Sequence, residues 1–213
     1  MKPFSQLSAA RQKRKIRQEA AHFAQDFGFN QAQIRLVYFG FNATYALQQP
    51  WGEKFALRVN LNSIHSRPEV LAEVALVQHL ARCGILVATP KVAPGGQTVV
   101  SREIDGIPHS IHSVCYSWIH GKGIHDRTTA ADARSMARLS QALHKATQDF
   151  HLPPGAEMRP VLDPLDGFPY RFDAVAHADH GAIREVLTRG QIVIDRLYAQ
   201  QKPIPIHHDL HFS

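Results

Sequence analysis

Cysteine is scarce in this chain, and several other features are missing altogether. Only two cysteines, Cys83 and Cys115, occur among 213 residues. This number and spacing exclude a disulfide framework and a C-x-x-C metal or redox motif, so we expect both to be small core residues. No apolar run reaches the eighteen or so residues of a membrane span, and the N-terminus lacks the apolar region of a signal peptide. We therefore expect a cytoplasmic protein without a membrane segment.

The composition that is present is typical of a globular protein. Hydrophobic residues make up 44% and charged residues 20%, enough to build the core of one or two domains. The net charge of +6 is concentrated in the first twenty residues, which carry six Lys or Arg and one Glu. Ile16, Ala20, Phe23 and Phe27 recur there at helical spacing, so we predict an amphipathic helix with a solvated basic face. No motif of a nucleic-acid-binding module accompanies it, and we do not expect nucleic acid as a partner.

Short segments rich in Val, Phe and Tyr follow this helix and indicate β-strands. The five predicted strands cover residues 35–39, 44–47, 55–59, 97–101 and 113–117. Between the third and fourth strands, Ser66 and Glu69 have the spacing of a capping box, and Gly84 is placed to end the helix that they start. From Trp118 onward, apolar residues recur at helical spacing. The sequence therefore predicts an α+β protein in which one helix is inserted into a five-stranded antiparallel sheet.

The turn between the first two predicted strands is a candidate for covering phosphate groups. Backbone amides and small side chains of such a turn can approach a nucleotide, and its residues are Gly40, Phe41, Asn42, Ala43 and Thr44. One glycine is weak evidence, and an ordinary hairpin turn explains the pattern equally well.

The third predicted strand offers a cation for the phosphates. Residues 55–58 align with the V-A-I-K pattern of protein kinases, with Arg58 in place of the lysine and Ala56 on the same strand face. Arginine keeps the charge but binds phosphate or carboxylate through a planar fork. We expect Glu73 of the inserted helix to pair with Arg58, since the capping box explains Glu69. An exposed strand arginine and a solvated helix carboxylate are the simpler alternatives.

A hinge for an adenine ring is predicted where the last strand meets the helical part. Ser117, Trp118 and Ile119 follow an apolar strand and precede the first helix of that part. Their order along the chain favours backbone hydrogen bonds to an adenine edge, although Trp118 also suits a core position.

The last seven residues match a kinase catalytic loop, H-R-D-L-x-x-x-N. His207 and Asp209 take the positions of the His and the Asp, and the Asn would be the first residue after Ser213. In that signature the Asp is the base toward the acceptor hydroxyl, and the Asn binds Mg²⁺.

Together these stretches resemble the aminoglycoside phosphotransferase and choline kinase-like family, which includes homoserine kinase-like enzymes. The resemblance spans most of the chain, through residues 39–45, 55–59, 73–80, 89–92, 139–146 and 207–211. It implies a protein-kinase-like two-lobed fold, with a nucleotide-binding lobe of residues 1–117 and an incomplete helical lobe of residues 118–213. The implied reaction moves the γ-phosphoryl group of ATP to a hydroxyl of a small molecule. Asp209 would then be the catalytic carboxylate, and His207 would organise its loop.

The resemblance also implies Mg²⁺, whose usual ligands in the family, an Asn and a later Asp, would follow Ser213. We therefore expect the chain to be truncated at the catalytic loop, either as part of a longer protein or as a remnant with little turnover. His208 stands where the family usually has Gly. The acceptor and the oligomeric state are left open by the sequence.

Two alternatives belong to other functional classes. His207, Asp209 and His211 are ligand types that suit Zn²⁺, which would make the protein a metal-dependent hydrolase. Fourteen histidines make accidental clusters of this kind common. The second alternative is a non-catalytic kinase-like remnant that binds nucleotide or a partner.

Overall fold

A computed structural model describes residues 3–61, 66–121, 129–158 and 179–200 of the chain. The helices in these ranges are α1 (Ala9–Asp26), α2 (Arg67–Arg82), α3 (Ala130–Thr147) and α4 (His180–Gln200). The strands are β1 (Gln33–Phe39), β2 (Asn42–Gln48), β3 (Lys54–Asn60), β4 (Val100–Arg102) and β5 (Ile111–Ser117). The described residues as far as Glu157 form one compact unit, whereas α4 belongs to a second unit. The predicted division into lobes at residues 117 and 118 stays a prediction.

The strands form one antiparallel sheet in the order β1-β2-β3-β5-β4, with α2 between β3 and β4 in the chain. The predicted five-stranded sheet with one inserted helix is therefore confirmed. The prediction of a strand over residues 97–101 is wrong in extent, because β4 contains only Val100–Arg102. The Gln97 carbonyl instead accepts a hydrogen bond from the Ala93 N–H at 2.8 Å, and Gly96 has a φ of 85°. Residue 97 closes this turn and does not pair with β5.

β1 forms one edge of the sheet, and its pairing with β2 is irregular. A bulge shifts the register between Leu36 and Tyr38. Val37 and Tyr38 are both exposed at this bulge.

One face of the sheet packs on α1, and we call it the α1 face. Tyr45, Leu57 and Cys115 are neighbours on β2, β3 and β5, and all three are fully buried there. Ile16 and Phe23 of α1 are also fully buried in this core. The predicted amphipathic helix is thus confirmed, and burying each large apolar side chain contributes about 1.5–3 kcal/mol.

The opposite face packs on α2, and we call it the α2 face. Val70 and Val74 of α2 form a smaller core with Val114 and Tyr116 of β5. This core holds α2 against the middle of the sheet, because β5 lies between β3 and β4.

The ends of α2 follow from local chemistry. The Ser66 N–H donates to the Glu69 carboxylate at 2.6 Å, and the Glu69 N–H donates to the Ser66 hydroxyl at 3.4 Å. This capping box confirms the predicted start, and Gly84 follows the helix with a φ of 79°. Cys115 is buried as expected, but the expectation is wrong for Cys83, which is exposed. Cys83 is the C-cap of α2, where its apolar neighbours in sequence do not enclose it in space.

α3 also begins with a capping box, formed by Thr129 and Asp132. The ring of His79 on α2 lies 2.7 Å from the Ala146 carbonyl and packs edge-on against Phe150, with 5.4 Å between ring centroids. These contacts attach α3 to α2. Within the described ranges, no helix has both the length and the apolar character needed to cross a membrane.

Candidate functional site

The α2 face changes from apolar to polar along β2 and β3. Three pairs of opposite residues lie on this face, namely Ala46 with Ala56, Thr44 with Arg58, and Asn42 with Asn60. They share the face because side chains alternate along a strand. The alanine end suits a flat apolar ring, and the asparagine end suits a polar group.

An ion pair lies in the middle of this row. The two Nη atoms of Arg58 donate to the two carboxylate oxygens of Glu73 at 2.6 and 2.5 Å. The Tyr116 hydroxyl donates to Glu73 Oε1 at 3.1 Å, and the Arg58 guanidinium lies 5.6 Å from the Tyr116 ring centroid. Glu73 lies in the second turn of α2, so the capping box at Ser66 helps to fix its position. A bidentate pair of this kind gives the guanidinium a defined orientation.

The surroundings fix the charge states of this cluster. Burial lowers the pKa of Arg58, but the hydrogen bonds and the charge of Glu73 outweigh it, and the pKa lies above its ordinary value. Burial raises the pKa of Tyr116; the Arg58 charge opposes this shift and Glu73 adds to it. Arg58 therefore stays cationic, and Tyr116 stays a neutral donor. The side chains of Arg58 and Glu73 are 23% and 42% exposed, so part of the pair is accessible.

Three buried polar atoms on the α2 face have no hydrogen-bond partner among the described residues. They are Asn42 Oδ1, Arg58 Nε and Asn60 Nδ2. A buried polar group without a partner costs about 1–3 kcal/mol. Their clustering beside an ion pair indicates a ligand site, since native proteins satisfy most such groups. Arg58 Nε and Asn60 Nδ2 are donors and fit the oxygen atoms of a phosphate group.

The predicted phosphate cover is a tight turn between β1 and β2. Gly40 and Phe41 are the turn residues, and the Gly40 N–H donates to the Asn42 carbonyl at 3.0 Å. Asn42 and Thr44 lie on the α2 face, as the ion pair does. The Ala43 side chain is fully buried in the core of the α1 face, so only its backbone is available to a ligand on the α2 face.

The predicted hinge begins at the end of β5. The Ser117 N–H donates to the Thr89 carbonyl at 2.8 Å, and the Ser117 hydroxyl accepts from the Thr89 N–H at 2.9 Å. Because its N–H is engaged, Ser117 has no amide donor for an adenine edge. The backbone N–H groups of Trp118, which is half-buried, and Ile119, which is exposed, remain as the predicted donors.

The predicted catalytic residues His207 and Asp209 lie outside the described residues, as does His211 of the proposed zinc site. Within the part of the chain that the structure describes, no three His, Cys, Asp or Glu side chains are grouped to bind a metal ion. No observation in this part supports the hydrolase alternative.

Three residues of the site, Ala46, Asn60 and Tyr116, were missed by the sequence analysis. Asn60 lies two residues after Arg58 on the same strand. Because side chains alternate along a strand, the sequence alone was sufficient to place Asn60 on the same face as Arg58. Tyr116 immediately precedes the predicted hinge, but its bond to Glu73 depends on how α2 packs on β5.

Two solved structures have a similar fold. An amicoumacin kinase in complex with AMP-PNP, Ca²⁺ and Ami is 18% identical with a TM-score of 0.69, and the match covers 96% of this chain and 62% of that chain. A microcompartment-associated aminopropanol kinase is 22% identical with a TM-score of 0.57, and the match covers 67% of this chain and 44% of that chain. The chain thus spans less than two thirds of either structure. Among curated proteins, none has a significantly similar sequence.

A family comparison extends over most of the chain. The model of the phosphotransferase enzyme family (APH) matches residues 40–213. This range begins at the turn after β1 and includes Arg58, Glu73 and the final histidine and aspartate motif. Apart from Phe39, the residues that carried the resemblance in the sequence fall inside the matched range. The chain belongs to the phosphotransferase enzyme family.

Proposed function

We propose that the protein is an ATP-dependent phosphotransferase that moves the γ-phosphoryl group to a hydroxyl of a small molecule. The observation that carries this proposal is the bidentate pair of Arg58 and Glu73 on a sheet face with unpartnered donors. Membership of the phosphotransferase family supports the reaction class.

The adenine end of ATP is assigned to the apolar end of the α2 face. Ala46 and Ala56 offer small side chains to a flat ring, and the backbone of Trp118 and Ile119 offers hydrogen bonds to its edge. Ala56 and Asn60 are four residues apart on β3, which separates them by about 13 Å. A nucleotide laid along β3 therefore meets apolar groups at its base and polar groups at its phosphates.

The phosphate end is assigned to Arg58 and its neighbours. Glu73 accepts one N–H from each Nη atom of Arg58, so the unpartnered Nε and the remaining Nη hydrogens can donate to phosphate oxygens. Asn60 Nδ2 is a second donor, and the turn of residues 40–44 covers the phosphates. Because Glu73 and Tyr116 already orient the guanidinium, little reorganisation accompanies binding, as electrostatic catalysis requires.

We assign to Asp209 the role of binding the acceptor hydroxyl. Its carboxylate orients this hydroxyl and accepts its proton as the oxygen attacks the γ-phosphorus, and His207 organises the loop. Mg²⁺, when bound, neutralises the charge of the β- and γ-phosphates. We assign it no ligand within the described residues.

The acceptor is expected to be a small molecule with a free hydroxyl. The similar structures are named for amicoumacin and aminopropanol, and we take from them only that small acceptors suit this fold. A cytoplasmic location remains part of the proposal.

Nucleotide binding tests the site directly. We expect calorimetry with AMP-PNP and Mg²⁺ to show binding that weakens at least about tenfold in Arg58→Gln, since a hydrogen bond to a charged group contributes about 1.5–3 kcal/mol. Arg102→Gln is the matched control, because it breaks the bidentate pair with Asp26 on the α1 face. Equal affinity in the wild type and Arg58→Gln would overturn the assignment.

Phosphoryl transfer tests the reaction. ADP release from ATP should depend on a hydroxyl compound, and we expect Asp209→Asn to lower kcat by about 10²–10⁴, the usual contribution of a general base. Turnover that persists in Asp209→Asn, or that requires Zn²⁺ bound by His211, would contradict the proposal.

A further inference from the structure

A cavity bordered by cationic side chains lies between α1 and the first two strands. Its volume is about 420 Å³, within the usual range for small-molecule sites. Its lining residues are Lys13, Arg14, Arg17, Ile34, Arg35, Leu36 and Tyr45. Leu36 and Tyr45 are paired on the α1 face, so the cavity lies across the sheet from Arg58.

Three cations of α1 border this cavity without a carboxylate partner. Among the described residues, Lys13, Arg14 and Arg17 form no ion pair. Lys13 lies over the ring of Phe39 at 5.6 Å. Like charges three or four residues apart destabilise a helix, and a bound anion would relieve their repulsion.

A buried tyrosine points to the same conclusion independently. Tyr45 lines the cavity, its side chain is fully buried, and its hydroxyl has no hydrogen-bond partner among the described residues. Burial raises the pKa of Tyr45 to about 12, although the nearby charge of Arg17 opposes the shift. The hydroxyl therefore remains a donor at ordinary pH. Within the described ranges, the cavity thus combines a hydroxyl donor without a partner and three cations without an ion pair. A negatively charged oxygen atom bound there would interact favourably with both.

We propose that this cavity binds the phosphate group of a small phosphorylated molecule, held by Lys13, Arg14 and Arg17 and by the Tyr45 hydroxyl. Phosphate fits because it offers several acceptor oxygens and up to two negative charges to a site built from donors and cations. The cavity has room for an organic group beside the phosphate. Arg35 contributes little charge, since its pairing with Ala46 places its side chain on the α2 face.

The site is separate from the nucleotide site, because it lies on the opposite face of the sheet, although both sites include residues of β2. Its ligand would bind whether or not Arg58 holds ATP. The two sites can therefore be tested separately on the same protein.

The test is calorimetric titration of the full chain with inorganic phosphate and with glycerol 3-phosphate at constant ionic strength. Lys13→Gln/Arg17→Gln should weaken binding at least about tenfold, because both charged contacts are lost. Arg11→Gln/Lys15→Gln is the matched control. It removes the same two residue types at the same spacing from the same helix, but these residues line a different depression.

Tyr45→Phe separates a role in binding from a role in folding. The variant keeps the ring and removes only a hydroxyl without a partner, so the melting temperature without ligand should be unchanged or higher. Phosphate affinity should nevertheless fall by about tenfold. If the wild type binds glycerol 3-phosphate more tightly than inorganic phosphate, the ligand is an organic phosphate. If it binds the two compounds equally, the ligand is phosphate itself.

Three results would overturn the proposal. The first is no heat of binding with either compound at millimolar concentration. The second is equal weakening by the two double variants, which would indicate general charge attraction. The third is binding that is lost in Arg58→Gln and retained in Lys13→Gln/Arg17→Gln, which would place the phosphate at the nucleotide site.

Discussion

The two faces of the sheet differ in what they bury, although a helix covers each. The α1 face carries a continuous apolar core that includes Ile16, Phe23 and Leu57, all fully buried. The α2 face has a smaller core around Val74 and adds a polar row with three unpartnered buried atoms. The difference indicates that the α1 face supplies most of the stability, and that the α2 face gives up some stability to keep hydrogen-bonding groups ready for a ligand.

Each face also carries a bidentate arginine–carboxylate pair. Arg102 donates to the two carboxylate oxygens of Asp26 at 2.7 and 2.9 Å and lies 5.9 Å from the Phe23 ring centroid. Its two side chains are 37% and 27% exposed, which is close to the exposure of the pair on the α2 face. Exposure alone does not separate the two pairs. Of these two arginines, only Arg58 retains a buried nitrogen without a partner in the part of the chain described.

The largest expected effect tests the stability of the α1 face. Phe23→Ala should lower the free energy of unfolding by about 3–5 kcal/mol, since it removes a fully buried aromatic ring. Val74→Ala on the α2 face should cost about 2 kcal/mol. Urea denaturation of both variants measures the two values. A larger loss for Val74→Ala would reverse the comparison between the faces.

The next effect tests the ligand-binding character of the α2 face. Asn60→Ala should weaken AMP-PNP binding about tenfold, because it removes a donor assigned to phosphate. Its effect on the free energy of unfolding should be below about 1 kcal/mol, since the Nδ2 donor is unpaired without ligand. Asn30→Ala, at an exposed position, is the control. A stability loss without a change in affinity would make Asn60 a structural residue.

A smaller effect compares two capping boxes. Ser66→Ala and Thr129→Ala should each lower the free energy of unfolding by about 1 kcal/mol. Only Ser66→Ala should also weaken nucleotide binding, because α2 carries Glu73 and α3 carries no residue of the site. Thermal denaturation and calorimetry on both variants check this difference. Equal affinities would show that the start of α2 does not control the ion pair.

The smallest effect is a pH dependence on the α2 face. Burial lowers the pKa of His112, and the charges of Arg67 and His109 add to the shift while Glu103 opposes it. The unfolded chain therefore binds a proton more readily, so stability falls as the pH drops below about 6.5, the ordinary pKa of histidine. Between pH 7 and pH 5, the melting temperature should fall less in His112→Gln than in the wild type. An equal fall in the two proteins would contradict this assignment.

Local chemistry made much of this structure predictable from the sequence. The start of α2 followed from Ser66 and Glu69, and assigning Glu69 to the cap left Glu73 as the partner of Arg58. Strand alternation was sufficient to place Ala56 and Arg58 on one face. The cap and the strand alternation depend on residues within a few positions of each other, and the ion pair joins two elements that follow one another in the chain.

The remaining features depend on long-range packing. The bond from Tyr116 to Glu73 needs the docking of α2 on β5, and the engagement of Ser117 by Thr89 needs a distant segment to approach the end of the sheet. The unpartnered Tyr45 hydroxyl likewise results from the packing of α1 over β2. No periodicity in the sequence encodes these contacts, and for that reason the cavity beside α1 was not anticipated.

The bulge in β1 has a consequence for the behaviour of the protein in concentrated solution. A regular edge strand presents unpaired backbone groups to which another chain can add a strand, and exposed apolar side chains such as Val37 and Tyr38 would favour that association. The bulge between Leu36 and Tyr38 breaks the regular spacing of those groups. It therefore protects the sheet against edge-to-edge aggregation at a position where two apolar side chains are exposed.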